Sequence, residues 1–163
     1  MAQFIHLFDE RFAASIKRSG LRVARSKQRV KKGVFVQALT ESFQITHQWM
    51  RELRRRQGIS LLAARIRIAD DELVLLGRYN EKHLRCTAAE AVGIARSHQD
   101  PIGLEIIILR PIKAREIESY YRPPKVVGWR YYPGARGRRP CGCPYCQRGE
   151  PYGRRIRDEY DQS

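Results

Sequence analysis

Three of the four cysteines fall within one short stretch, Cys141-Gly142-Cys143-Pro144-Tyr145-Cys146. Thiolates this close suit metal ligation better than disulfide pairing. The backbone between two ligands has to curl around a cation, and Gly142 and Pro144 help it turn. Soft sulfur donors favour zinc or an iron–sulfur centre over hard cations. A closed tetrahedral site needs a fourth ligand. Cys86 is the first choice, with His83, His98 or a water as alternatives. The competing reading is a set of reduced, unliganded thiols, with Cys86 a small buried hydrophobe.

Glu105 is the other residue that points to chemistry. It is a single carboxylate inside the apolar run Leu104 to Leu109, LEIIIL. An ionised group among residues that want burial needs partners or a polar cleft, and such carboxylates recur at active sites. The plainer alternatives place it on a solvent-facing edge, or in a pair with Arg65 or Arg67. His6, inside QFIHLF, has two readings as well. It is either a core histidine hydrogen-bonded to backbone or a donor to a ligand hydroxyl or phosphate. His47 reads as a solvent-facing or boundary histidine.

The elements that must position these groups follow from periodicity and caps. Gln3 to Phe8 reads as a strand. Asp9 caps a helix over Glu10 to Ser19 that stops at Gly20. Arg22 to Lys32 reads as a basic loop, and Gly33 to Leu39 as a buried strand. Thr40 is expected to cap a long helix, Glu41 to Gln57, with Phe43, Ile45, Trp49, Met50 and Leu53 on its apolar face. Ile59 to Ile68 reads as a strand that alternates in its second half, and Leu73 to Tyr79 as another. Thr87 and Glu90 form a capping box opening a helix to Ser97. Leu104 to Leu109 and Val126 to Tyr132 complete the strands. The pattern β-α-β-α-β-β-α-β-β is an α+β domain. Its expected extent is residues 1–132, with residues 133–163 a basic, cysteine-stapled extension. No glycine-rich phosphate loop follows a strand, which weighs against dinucleotide-fold and P-loop enzymes.

Composition bounds the setting. The chain has 163 residues, 42% hydrophobic and 30% charged, enough for one core without disulfides. No apolar run reaches the ~20 residues of a membrane span, and Met1 to Phe12 lacks the features of a secretory signal. Clustered free cysteines suit the reducing cytoplasm. The net charge of +15 makes polyanions the first partners to consider. The charge is concentrated in Lys17 to Lys32, in Arg51 with Arg54, Arg55 and Arg56, and in Arg130 to Arg157. Arg54, Arg55, Arg130, Tyr132, Arg136, Arg138 and Arg139 are the candidate nucleic-acid contacts.

Three stretches resemble the ADP-ribosyltransferase superfamily. FIHLF, with its helix and Ser19-Gly20-Leu21-Arg22, is similar to the first strand and helix of that fold. Gly33-Val34-Phe35-Val36, followed by TESF and a helix bearing Trp49, is similar to the second strand and its helix. GLEIIILRPIKAREI, Gly103 to Ile117, is similar to the late strand that carries the catalytic glutamate. The resemblance covers residues 3–118. It implies NAD as substrate, Glu105 as the catalytic carboxylate, and His6 on the nicotinamide-side ribose. It further implies Phe35 or Phe43 against the nicotinamide, and Arg22, Arg25 or Arg65 on the pyrophosphate. The tyrosine one subfamily places near the second strand is missing, because no tyrosine precedes Tyr79. The expected activity is ADP-ribosyl transfer to nucleic acid or a nucleic-acid-associated target. The alternative is a non-enzymatic, zinc-stapled DNA- or RNA-binding protein, in which arginines meet phosphate and Trp129, Tyr131, Tyr132 and Tyr145 stack on bases.

Overall fold

A computed structural model describes residues 1–23, 32–50, 52–53, 60–79, 81–99 and 101–123. Alternating apolar positions make Ala2–Asp9 the first strand, β1. Asp9 accepts the backbone N–H of Arg11, opening a 3-10 turn, Glu10–Phe12, that leads into α1, Ala13–Ser19. Next come β2, Val34–Ala38, and a single helical turn α2, Phe43–Thr46. Strands β3, Leu61–Ile68, β4, Leu73–Arg78, and β5, Leu84–Thr87, precede α3, Ala88–Ser97. The described residues close with β6, Leu104–Ile108, a 3-10 turn at Ala114–Glu116, and β7, Ile117–Tyr121.

The fold is α+β. The seven strands form one sheet in the order β5-β4-β6-β2-β1-β3-β7, and every neighbouring pair is antiparallel. Even-numbered positions of the central strands form the main core. Phe4, Phe8, Val34, Val36, Ala64, Ile66, Leu104, Ile106 and Ile108 pack there under α1 and α3. Helix α3 presents Ala88, Ala91, Val92 and Ala95, a spacing of three and four residues that makes one apolar stripe. Its Thr87–Glu90 capping box is complete in both directions. Gly93 lies on the exposed side of α3, where an added Cβ meets nothing within 4 Å. Gly93→Ala is therefore expected to stabilise the fold by about 0.5–1 kcal/mol, through lost freedom in the unfolded chain. Urea denaturation measures it.

Odd-numbered positions face the other way. Ile5, Leu7, Leu61 and Ala63 pack beneath Met50, with Leu39, Trp49, Leu53 and Tyr121 around them. This second layer comes from the segment after α2, and there the structure departs from the sequence pattern. The expected helix over Glu41 to Gln57 is one turn long before the chain turns at residues 47–49. Its cap is Ser42, whose Oγ accepts the N–H of Ile45; Thr40 instead bonds Ser42 and Thr46. His47, Gln48 and Met50 are all buried, and helical backbone resumes at Met50, Glu52 and Leu53. Two strands escaped the sequence reading. β5 and β7 are the short edge strands of the sheet, each with polar outward positions that blur the alternation. The expected strand Val126 to Tyr132 lies outside the described residues.

One ion cluster ties the end of β6 to the rest of the sheet. Arg110 donates to Glu116 through both Nη atoms, at 2.6 and 2.8 Å, and Nη2 also donates to Glu72. The Arg110 guanidinium, and then the Lys113 backbone N–H, hold the Glu116 carboxyl below its ordinary 4.5. A carboxyl lowered in the folded state adds stability above its ordinary value, and that stability fades as pH falls through the lowered one. Arg110→Met should therefore flatten the acid limb of the stability–pH curve below 4.5 and leave its slope near neutrality unchanged. Chemical denaturation at stepped pH reads this.

Candidate active site

The polar side chains cluster on the odd-numbered face, along one row across the sheet. Ser119 pairs with Arg65, Arg65 with Ile5, and Ile5 with Gln37. Val36 pairs with Ile106, so the next position along those two strands sets Gln37 beside Glu105. Glu105 in turn pairs with Gly77. A carboxylate, an amide and a guanidinium thus share a line that apolar residues would normally fill. The β3–β7 register slips between Arg65 and Ile66, an irregularity of the kind that re-aims side chains at functional sites.

Glu105 sits on an interior strand with its side chain 13% exposed, which rules out the solvent-facing edge. Its partner is neither Arg65 nor Arg67. Arg67 pairs with Glu118. Glu105 Oε1 instead lies 3.0 Å from Nε2 of His83. That contact depends on Gly77. A Cβ there would stand 2.9 Å from His83 Cγ and Nδ1, so only glycine lets the imidazole settle onto β4 opposite Glu105. Beside them, Trp49 donates its indole N–H to the Leu104 carbonyl and tilts against Tyr79, with ring centroids 5.5 Å apart. Gln48 accepts from Gly103 N–H at 2.7 Å and donates to the Pro101 carbonyl. These bonds pull residues 48 and 49 onto the start of β6, which accounts for the break in the helix at residues 47–49.

At the other end of the row, the buried His47 ring hydrogen-bonds the Tyr121 hydroxyl through Nε2. Burial pushes the Tyr121 phenol up, and the nearby Arg65 charge partly opposes this. Arg65 Nε and Gln37 Oε1 are buried without a hydrogen-bond partner among the described residues. A donor and an acceptor flanking Ile5 fit a polar ligand laid across the row.

Between β1 and β2 the backbone ladder holds only at Phe4–Ala38 and Ile5–Gln37. Beyond it, the Nδ1–H of His6 donates to the Phe35 carbonyl at 2.7 Å. This is the backbone-bonded histidine of the two sequence readings. His6 stacks near Phe8, at 6.3 Å between ring centroids. Alternation along β1 therefore puts it on the side opposite Glu105. Phe35 shares the Glu105 side, paired with Ile107. Arg22 is exposed beyond the Leu21–Ile112 bridge, away from the row. The side chain of Phe43 lies outside what is described.

Cys86, on β5 opposite Val74, packs partly buried against the main core. Burial, and then the Glu90 charge, push its thiol up. No three His, Cys, Asp or Glu side chains among the described residues come together to hold a metal. Cys141, Cys143 and Cys146 lie outside the described residues, as do Arg54, Arg55, Arg130, Tyr132, Arg136, Arg138 and Arg139. No helix among the described residues is long and apolar enough to cross a membrane.

Sequence reasoning singled out Glu105, Phe35 and Arg65, weighed His83 only as a metal ligand and His47 only as a solvent-facing or boundary histidine, and did not name Gln37 or Tyr121. The one signal pointing to His83 was Gly77, since a glycine inside a strand marks a close approach. No protein-family model matches the chain, and neither a curated protein nor a solved structure matches it significantly.

Proposed function

We propose that the chain transfers ADP-ribose from NAD to a nucleic-acid acceptor, with Glu105 as the catalytic carboxylate. The observation that carries this reading is a mostly buried carboxyl group on an interior strand, in line with an amide and a guanidinium. That position is expensive to maintain for packing alone. In the proposed reaction the bond from ribose C1′ to the nicotinamide nitrogen breaks, and its electron pair leaves with neutral nicotinamide. Positive charge builds on C1′, where a carboxylate stabilises it. The acceptor oxygen or nitrogen then bonds to C1′ and releases its proton.

Gln37 and Arg65 would hold polar parts of the dinucleotide along the row, and Phe35 would offer it an apolar surface. In this reading His6 shapes the junction of β1 and β2 through its bond to the Phe35 carbonyl. Lys17 and Arg18 are exposed on α1, and Arg22 just after it, which supports attraction of an anionic acceptor. We propose a zinc-type staple for Cys141, Cys143 and Cys146 on their spacing alone.

The test offers labelled NAD to the full chain with DNA, RNA or protein as acceptor. Nicotinamide release with label moving to one acceptor supports the transferase and names the acceptor class. Tight, salt-sensitive nucleic-acid binding without nicotinamide release would replace it with the binding-protein reading.

A further inference from the structure

We infer that Arg65 anchors an oxyanion site on the odd-numbered face, beside Ser119 of β7, suited to a phosphate or a carboxylate. Its use in a reaction rests on the transferase reading, where it would hold one end of a substrate. The binding itself does not depend on turnover.

Strand alternation sets the position. Ala64 and Ile66 fill the main core, so Arg65 leaves β3 on the opposite face. The residue is partly buried, and its Nε is buried with no acceptor among the described residues. Other arginines there have carboxylates. Arg11 meets Asp9, Arg67 meets Glu118, Arg110 meets Glu72 and Glu116, and Arg122 meets Glu10. A guanidinium offers only donors and keeps its charge in proteins. Burying one of its N–H groups unpaired is costly, and a positive charge without a partner adds to that cost. An oxyanion supplies both missing parts, an acceptor and a counter-charge, and it matches the planar fork of guanidinium donors.

The neighbours fit the same occupant. Ser119 lies directly across the β3–β7 ladder from Arg65 and is exposed, which places a hydroxyl beside the guanidinium on the solvent side. Tyr121 sits diagonally, opposite Ala63. Burial pushes its phenol up and the Arg65 charge opposes this, so the guanidinium lies within electrostatic reach of that ring. A phenol held protonated gives the cation no counter-charge, and its hydroxyl is engaged by His47. Glu118, the acid next to Ser119, is engaged by Arg67 at 2.5 Å. The ladder slips at this point, because Arg65 pairs with Ser119 and Ile66 with Ile117, leaving Glu118 as the extra residue of β7. Such a slip turns side chains away from regular pairing, as strands do beside binding sites.

The experiment titrates the full chain with inorganic phosphate and, separately, with acetate, at constant ionic strength set by chloride. Nitrogen-15 NMR follows the Arg65 Nε–H, assigned by its loss in Arg65→Met. A saturable shift of that resonance is expected, and the stronger of the two anions names the oxyanion. Arg65→Met should weaken binding by about 10- to 100-fold, as expected for losing a hydrogen bond to a charged group. Arg65→Lys, which keeps the charge without the fork, should fall between. Arg18→Gln removes an exposed charge from α1 and should leave the affinity unchanged. Without added anion, the urea midpoint of Arg65→Met should be no lower than that of the wild type, since the substitution removes an unpaired buried group. Phosphate should raise the wild-type midpoint and leave that of Arg65→Met in place. A resonance unmoved by both anions would overturn the proposal. So would equal binding by wild type and Arg65→Met, or equal losses in Arg65→Met and Arg18→Gln, either of which would reduce the effect to the chain's overall charge. Binding at Arg65 without any nicotinamide release would keep the site and sink the transferase reading; release with a silent Arg65 would do the reverse.

Discussion

Gly20→Ala is expected to remove about 3 kcal/mol or more of folding stability. Gly20 ends α1 with φ 76 and ψ −166, a region that side-chain-bearing residues reach only at a cost of about 1–3 kcal/mol. Space adds to the penalty. A Cβ on this backbone would stand 1.9 Å from the Ile112 carbonyl oxygen and 2.9 Å from Ala114 N and Lys113 C. All three neighbours are backbone, so none can swing aside. Relief requires moving the chain after β6 away from α1. That movement breaks the bridge in which Leu21 N–H donates to Ile112 at 2.8 Å and Ile112 N–H returns the bond at 2.9 Å. Leu21 and Ile112 are both buried in the main core, so the damage reaches the packing of α1. Against a typical total of about 5–15 kcal/mol, such a loss leaves the fold marginal. Urea denaturation should show a lower midpoint with an unchanged slope. A drop under about 1 kcal/mol would mean that the Gly20–Ile112 approach relaxes easily, and the tight packing of α1 on the Ile112 loop would have to be abandoned.

Local signals made several elements legible and failed where distant residues decide. Strand β1, its Asp9 cap and the stop at Gly20 follow from alternation and cap chemistry, as does α3 from its capping box and alanine stripe. The run LEIIIL marks β6 and singles out Glu105. The helical spacing of the segment from Glu41 to Gln57 gives helix at 43–46 and again at 50, 52 and 53, but no sign of the break at 47–49. Polar residues decide that break. Gln48 bonds the turn at 101–103, Trp49 bonds Leu104, and His47 bonds Tyr121, each more than 50 residues away. No window of sequence contains those partners. The same holds for the site. Glu105 stands out by itself, whereas His83 becomes meaningful only when β4 and β6 pair and Gly77 opens the space between them. Gln37 and Arg65 read as ordinary strand residues until the register of β1 sets them on either side of Ile5.

Glu105→Gln is expected to lower NAD turnover by about 100- to 1,000-fold while leaving the chain folded. Glutamine keeps the shape of the side chain and its place opposite Gly77, so packing along the row is conserved. What disappears is the negative charge. An oxocarbenium-like centre at C1′ gains most from an anion already fixed nearby, because no solvent has to reorganise as charge develops. The amide offers only a dipole. Stability should fall by much less than removal of a buried ion usually brings. The amide is uncharged and close in shape to the carboxyl, so the substitution leaves no new charge at this position. The loss then resembles an altered neutral hydrogen bond, about 1–3 kcal/mol. His83→Phe removes the imidazole whose Nε2 lies 3.0 Å from Glu105 Oε1. It should therefore be the less stable of the two variants, since a buried carboxylate deprived of its partner is the costlier defect. Turnover and urea denaturation of both proteins, run side by side, separate these effects. Loss of turnover under tenfold in Glu105→Gln, about 1.4 kcal/mol of transition-state stabilisation, would remove Glu105 from the catalytic role and leave the Glu105–His83 pair a structural one.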